Sequence, residues 1–342
     1  MSKLEDLLAR KGALLADGAT GTNLFEMGLV SGDAPELWNT DEPEKIKALH
    51  KSFVDAGSDI ILTNTFGCNR HRLKLHKAED RVKELNIAAV RLAREVAEAS
   101  GRDVLIGGSV GPTGELFQPL GALSYEDAVA AFREQMEGLV EGGADILWVE
   151  TMSAVEEMKA AAEAAKDFDL PLVITASFDT AGKTMMGLAP KGLGDLQGQF
   201  ACTPVAIGSN CGVGASDLLA AIMDITEAYP DAIVVAKANC GIPQIRGDEV
   251  VYTGTPDLMA KYAHMALNAG ARIIGGCCGT SPVHLAAMRS ALDAHQSGKR
   301  PTLEEVISEI GPLVSPPNKQ ADAARADADG AGGGRRRGRR RS

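Results

Sequence analysis

Arg272-Ile273-Ile274-Gly275-Gly276-Cys277-Cys278-Gly279-Thr280-Ser281-Pro282-Val283-His284 runs from a short apolar stretch, through a glycine-flanked cysteine pair, into a helix start. The apolar stretch reads as a buried strand. Ser281 and Pro282 read as the N-cap and first residue of the next helix. Gly275, Gly276 and Gly279 allow the tight backbone of a strand-to-helix turn. The segment is therefore one βα unit, and the chain repeats it. Candidate strands fall at 13–17, 59–64, 104–110, 145–150, 172–178, 205–210, 232–238 and 272–276. Most are continuous apolar runs, as parallel strands buried on both faces require. Helical spacing of apolar residues fills the gaps at 44–56, 78–99, 125–142, 154–166, 215–228 and 256–269. Gly57, Gly143 and Gly270 stand where helices hand over to strands, the place of a left-handed cap.

Eight such units predict an α/β fold, a single-domain (β/α)8 TIM barrel over 1–315. A doubly wound open sheet is the competing architecture, but no Gly-x-Gly-x-x-Gly follows the first strand. The placement of polar residues favours the barrel. Asp17, Asn64, Glu150, Cys211, Asn239, Cys277 and Cys278 all lie at or just past strand C-termini. In a barrel those ends converge on one mouth, where active sites form.

Composition narrows the class. Hydrophobic residues make up 45% of the 342 and aromatics only 4%, so the core must be aliphatic. No stretch approaches the roughly 18 apolar residues of a membrane span. The N-terminus carries acids and no apolar signal region, and six cysteines do not make a disulfide scaffold, so a cytoplasmic protein is expected. The formal charge of −11 is uneven. Residues 318–342 hold eight basic residues, six of them arginines in 335–341, against three Asp, a net of +5. The remaining chain carries −16, which argues against a nucleic-acid-binding body. From Pro316 onward apolar periodicity is lost, and 316–342 reads as a disordered basic tail, either merely solvated or serving weak polyanion binding or docking onto an acidic partner.

Cys277 and Cys278 share a turn, and Cys211 sits in a second glycine-rich turn, Ser209-Asn210-Cys211-Gly212. Three thiolates would leave one open position on zinc, the arrangement of a catalytic rather than a structural site. The helix opening at Ser281 is expected to lower the thiol pKa values. Other readings of the residues stand beside this one: buried core cysteines, a strained vicinal dithiol, or a structural zinc site with Cys240 as fourth ligand. Cys68 and Cys202 lack such context, and His284 is a weak ligand candidate.

At these residues the chain resembles the homocysteine S-methyltransferase family, which includes betaine–homocysteine methyltransferases and the homocysteine module of cobalamin-dependent methionine synthase. The likeness continues through Asp17-Gly-Ala-Thr-Gly-Thr22, Thr63-Asn-Thr-Phe66, Gly111-Pro-Thr-Gly114 and Val149-Glu-Thr151, and spans about 10–295. The resemblance implies a Zn2+ cofactor held by Cys211, Cys277 and Cys278, with homocysteine as the fourth ligand and methionine as product. It implies that Asp17 and Glu150 hold the homocysteine amino group, with Asn64 as a further substrate-side residue.

The methyl donor stays open. A betaine site needs aromatic faces around a quaternary ammonium. Animal-type betaine enzymes carry aromatics where this chain has Gly67 and Thr151, and Trp38 offers at most one face. Trp148 reads as a strand core residue. Asn64, Thr113 and Gly114 make the mouth resemble the methionine synthase module, whose donor is a methyl-corrinoid protein. The chain has no room for a corrinoid-binding domain, so the corrinoid would come on a partner. S-methylmethionine is a third possible donor.

Overall fold

Short apolar runs that cannot satisfy their own backbone groups pair side by side here into one eight-stranded parallel sheet. A computed structural model describes residues 2–246 and 249–317. The strands are β1 (Leu14–Leu15), β2 (Ile60–Leu62), β3 (Leu105–Val110), β4 (Ile146–Met152), β5 (Leu172–Ala176), β6 (Ala206–Cys211), β7 (Val234–Ala238) and, after a hairpin of β8 (Pro243–Arg246) and β9 (Glu249–Tyr252), β10 (Ile273–Gly276). Their order is β1-β10-β7-β6-β5-β4-β3-β2, and a parallel bridge from Ala16 to Ile60 joins the two ends. This is the expected (β/α)8 barrel. The six helices read from periodicity form at Pro43–Asp55, Val82–Ala99, Tyr125–Gly142, Val155–Ala165, Ala215–Ala228 and Pro256–Asn268. Gly57, Gly143 and Gly270 take the positive φ that ends a helix.

Two apolar layers result. One lies between strands and helices; the other fills the barrel interior with Leu14, Ile60, Leu62, Leu105, Ile146, Trp148, Val173, Val235 and Ile273. Trp148 is fully buried, as the sequence led us to expect. Gly107 faces this ring, and a Cβ there would come within 2.6 Å of Leu62 and 3.6 Å of Trp148. The lower end is closed by a helix not anticipated from the sequence, Lys3–Lys11, which inserts Leu4, Leu7 and Leu8. Ser2 and Glu5 cap it reciprocally. With the bottom sealed, the upper rim is the end left for a ligand.

Register fixes what meets at that rim. Asn210 pairs with Lys237 and Cys211 with Ala238 across β6 and β7, while Gly276 pairs with Ala238 across β10 and β7. Cys211 and Cys277 thus end their strands within one residue of the same level. Residues 318–342, which hold almost all of the expected tail, lie outside the described residues. Among the described residues no helix is long and apolar enough to cross a membrane.

Candidate metal centre

Cys211 closes β6 with φ at +63°, a left-handed conformation that non-glycine residues rarely adopt. Gly212 follows at +79° and Gly214 at +155°, so the chain turns sharply and the thiol leaves the pleat of its strand. The second turn brings two thiols together: Cys277 N–H donates to Ala238 carbonyl at 2.7 Å, and Thr280 N–H to Cys277 carbonyl at 3.0 Å. Cys211 Sγ lies 3.9 Å from Cys278 Sγ, and all three sulfurs fall within 4.8 Å of one another. Zinc–sulfur bonds of about 2.3 Å in a tetrahedron need sulfurs about 3.8 Å apart, so the donor set fits a zinc ion. Asn239, facing Cys211, donates to Gly212 carbonyl at 2.6 Å, while its buried Oδ1 has no partner among the described residues.

The thiols are not acidified as the helix terminus led us to expect. The hydrogen bond shared with Cys277, together with burial, pushes Cys211 up to about 12. The bond with Cys211 and then burial push Cys278 up to about 11. Cys277 is raised too: Cys211 opposes the rise, but Cys278 and burial outweigh it. Three crowded, desolvated thiols repel one another's ionisation more strongly than a helix end favours it. Without a cation the trio is neutral at pH 7; a dication would deprotonate it.

The other cysteines stand apart. Cys240 is buried, its N–H donating to Cys278 carbonyl and its carbonyl accepting from Gly254 N–H, both at 2.9 Å, but its sulfur is not one of the three that cluster, so the four-cysteine structural site has no support. Cys68 sits in a satellite apolar cluster with Leu73, Val82 and Leu85. His284 is engaged at Nδ1 by Ser281, 2.8 Å from Oγ and 3.1 Å from the backbone nitrogen, and so caps its helix. The face of Trp38 is covered by Lys45, whose Nζ lies 4.3 Å from the ring centroid.

Beside the sulfurs lies a polar network. Glu150 Oε1 accepts from Ser109 Oγ at 2.6 Å. Asn210 Oδ1 accepts from Thr151 N–H at 2.8 Å and Thr175 Oγ at 2.6 Å, while its Nδ2 reaches Thr151 Oγ1 at 2.7 Å, Glu150 Oε2 at 3.4 Å and Cys277 Sγ at 3.9 Å. Thr151 is held at φ +61° by these bonds. Burial raises the Glu150 pKa, opposed by Lys237 and Ser109.

Asp17 is fully buried and already paired. Lys237 Nζ lies 2.6 Å from its Oδ1, and Leu62 N–H donates to its Oδ2 at 2.7 Å. Burial works against the Lys237 ammonium, yet Asp17 and Glu150 hold its pKa above the ordinary value. Asn64 Nδ2 donates to Pro35 carbonyl at 2.7 Å and Asn39 Oδ1 at 3.0 Å, tying the end of β2 to the loop after β1. Lys237 and Asn210 were missed from sequence. A lone lysine inside Val234-Val-Ala-Lys-Ala238 was the available signal. Tyr252 was missed too: its ring packs over Gly279, beside the Cys278 turn.

Comparison with known proteins agrees with this geometry. The family model for homocysteine S-methyltransferase matches residues 14–292. The methionine synthases of Mycobacterium tuberculosis and Mycobacterium leprae are each 28% identical, over 84% and 89% of this chain. The chain spans 25% and 26% of their lengths. The homocysteine methyltransferase MmuM of Escherichia coli, at 26% identity, aligns with a TM-score of 0.72 in its oxidised form, covering 85% of this chain and 99% of that one. Its metallated form aligns at 0.70, covering 84% and 99%. The chain belongs to the homocysteine S-methyltransferase family.

Proposed function

We propose that the chain methylates homocysteine to methionine, with zinc held by Cys211, Cys277 and Cys278 and the methyl group brought by a separate methyl-corrinoid protein. The single observation that carries this reading is the cluster of three sulfurs beside the buried carboxylate of Glu150. Zinc, when bound, supplies the positive charge that keeps a substrate thiol ionised at neutral pH. The strained backbone at Cys211 aims its thiol at the mouth, and Asn210 links that turn to Glu150. Fully ionised, Asp17, Glu150 and Lys237 would together carry one net negative charge. We assign the substrate ammonium to Glu150, which such a charge requires in a desolvated site. Lys237 holds Asp17 in place, and Asn64 orders the wall of the mouth. In the transfer a carbon–sulfur bond forms as the donor–methyl bond breaks, and the bonding electron pair stays with the donor.

Two observations support a protein-borne donor. The methionine synthase relatives extend well beyond the aligned quarter, and no complete aromatic cage forms among the described residues. A free-standing reaction with a small donor, betaine or S-methylmethionine, is the second reading, favoured by the near full-length match to MmuM. Free thiols at the site need a reducing compartment, and we assign the cytoplasm. The test supplies purified protein and homocysteine with a methylcobalamin-loaded corrinoid protein, betaine or S-methylmethionine, and measures methionine. Methionine from the corrinoid protein alone is expected; none from any donor refutes the function.

A further inference from the structure

Asn210 sits one residue before the metal turn, fully buried near the end of β6. Its partners fix which way the carboxamide faces. Thr151 N–H can only donate, so the amide oxygen must face it, at 2.8 Å, and Thr175 Oγ1 donates to the same oxygen at 2.6 Å. The amide nitrogen therefore faces Thr151 Oγ1 at 2.7 Å, Glu150 Oε2 at 3.4 Å and Cys277 Sγ at 3.9 Å. Thr151 is near enough to take one of its two hydrogens fully. The other is left between a carboxylate oxygen and a sulfur, at the long end of hydrogen-bonding distance from each.

Those two acceptors belong to the two halves of the site. Cys277 is one of the three clustered sulfurs, and Glu150 is the carboxylate beside them. Glu150 Oε1 is already engaged by Ser109 Oγ at 2.6 Å, so Oε2 is the oxygen open to a ligand ammonium. Once it gains an ammonium, that oxygen competes less for the shared hydrogen. A sulfur held as thiolate by a cation competes more, because three thiolates exceed the charge of one dication and a substrate thiolate adds to the excess. Both changes move the hydrogen toward Cys277.

We propose that Asn210 is a positioning residue that couples the two halves: an ammonium on Glu150 Oε2 releases the second Nδ2 hydrogen to the Cys277 thiolate. The amino group and the sulfur of homocysteine then bind cooperatively, and a thiol without an amino group loses more than one ion pair. This rests on the proposed roles of Glu150 and the three cysteines. Asn210 and Cys211 are neighbours in the chain, so the strand that supplies one sulfur also feels the ammonium. Asn210 helps to hold Thr151 at φ +61° as well, which by itself is a structural role. The two roles are separable, because the amide oxygen holds the Thr151 backbone whereas the nitrogen reaches the sulfur.

The test loads the full chain with Co(II) in place of zinc and follows the sulfur-to-cobalt charge-transfer band. Homocysteine is added, or 4-mercaptobutanoate, the same thiol without its amino group. Wild type should bind homocysteine about 10- to 100-fold more tightly. Its homocysteine band should lie at shorter wavelength than its 4-mercaptobutanoate band, because a hydrogen-bonded sulfur gives up electron density less readily. Asn210→Ala should cut the preference at least about fivefold and bring the two bands together. Asn210→Asp keeps an acceptor for Thr151 N–H but offers no N–H when ionised, and its two bands should also coincide. Thr175→Val removes one support of the amide oxygen and should keep both the preference and the band separation. A wild-type preference surviving in Asn210→Ala, or a band separation surviving in both Asn210 variants, overturns the proposal, since a merely structural Asn210 weakens both thiols alike. No preference in wild type removes Glu150 from ammonium binding and the coupling with it. An Asn210-dependent preference in a chain that makes no methionine from any donor would instead sink the proposed function and leave the coupling standing.

Discussion

Lys237→Met isolates the charge pair on which the mouth is built. Lys237 and Asp17 are both essentially inaccessible, and their N–O distance is 2.6 Å. Removing the ammonium leaves a buried carboxylate with one strong donor, Leu62 N–H at 2.7 Å. Breaking a buried pair from one side costs about 3–5 kcal/mol, a large share of a typical stability. Removing both charges in Asp17→Asn with Lys237→Met should recover most of that loss, because neutral replacements of a buried pair are often tolerated. The pH dependence carries the sign. Burial already holds the folded-state pKa of Asp17 above its ordinary value against the pull of Lys237, and removing Lys237 raises it further, so the folded form binds the proton more readily. The penalty is then small near pH 4 and grows as pH rises through the folded pKa. Urea unfolding at pH 4.5 and 7.5 of wild type, both single variants and the double reads this directly. A single-variant loss below about 1 kcal/mol, a loss independent of pH, or a double variant no better than Lys237→Met would refute the pairing argument.

His50 is fully buried with both ring nitrogens unpartnered among the described residues, and burial lowers its pKa to about 4. The unfolded chain takes up that proton first, so stability present above about pH 6.5 is lost as pH falls toward 4, by about 3 kcal/mol in all. His50→Leu should remove this part of the pH dependence; parallel stability curves for variant and wild type between pH 7 and 4.5 would contradict it. Glu150→Gln should raise the homocysteine KM about 10- to 100-fold, the worth of one charged hydrogen bond, while leaving the KM of the corresponding thiol without an amino group within about threefold. An equal change for both thiols would remove Glu150 from ammonium binding.

The barrel was legible because its signal is local and repeated. Each apolar run ends in a polar residue and a glycine-rich turn, and Cys211 and Cys277 were readable as members of one rim once eight such ends were counted. What escaped depends on contacts between distant residues. Leu4, Leu7 and Leu8 have helical spacing, but nothing near them says that they plug a barrel. Lys237 was passed over inside an apolar run; only pairing across the interior, with Asp17 220 residues away, gives it a partner. The thiol pKa values were misjudged because the helix terminus is visible in sequence and the crowding of three buried sulfurs is not. Asn210 lay inside a quoted motif, yet its bonds to Thr151 and Thr175 appear only when β4, β5 and β6 lie side by side.

Zinc X-ray absorption on the purified chain, before and after homocysteine, addresses the sulfur cluster most directly. The expected result is about one zinc per chain, three sulfur neighbours before and four after, with Cys278→Ala losing both the metal and methionine formation. An unchanged sulfur count on adding homocysteine, or four sulfurs already present without it, would contradict the account.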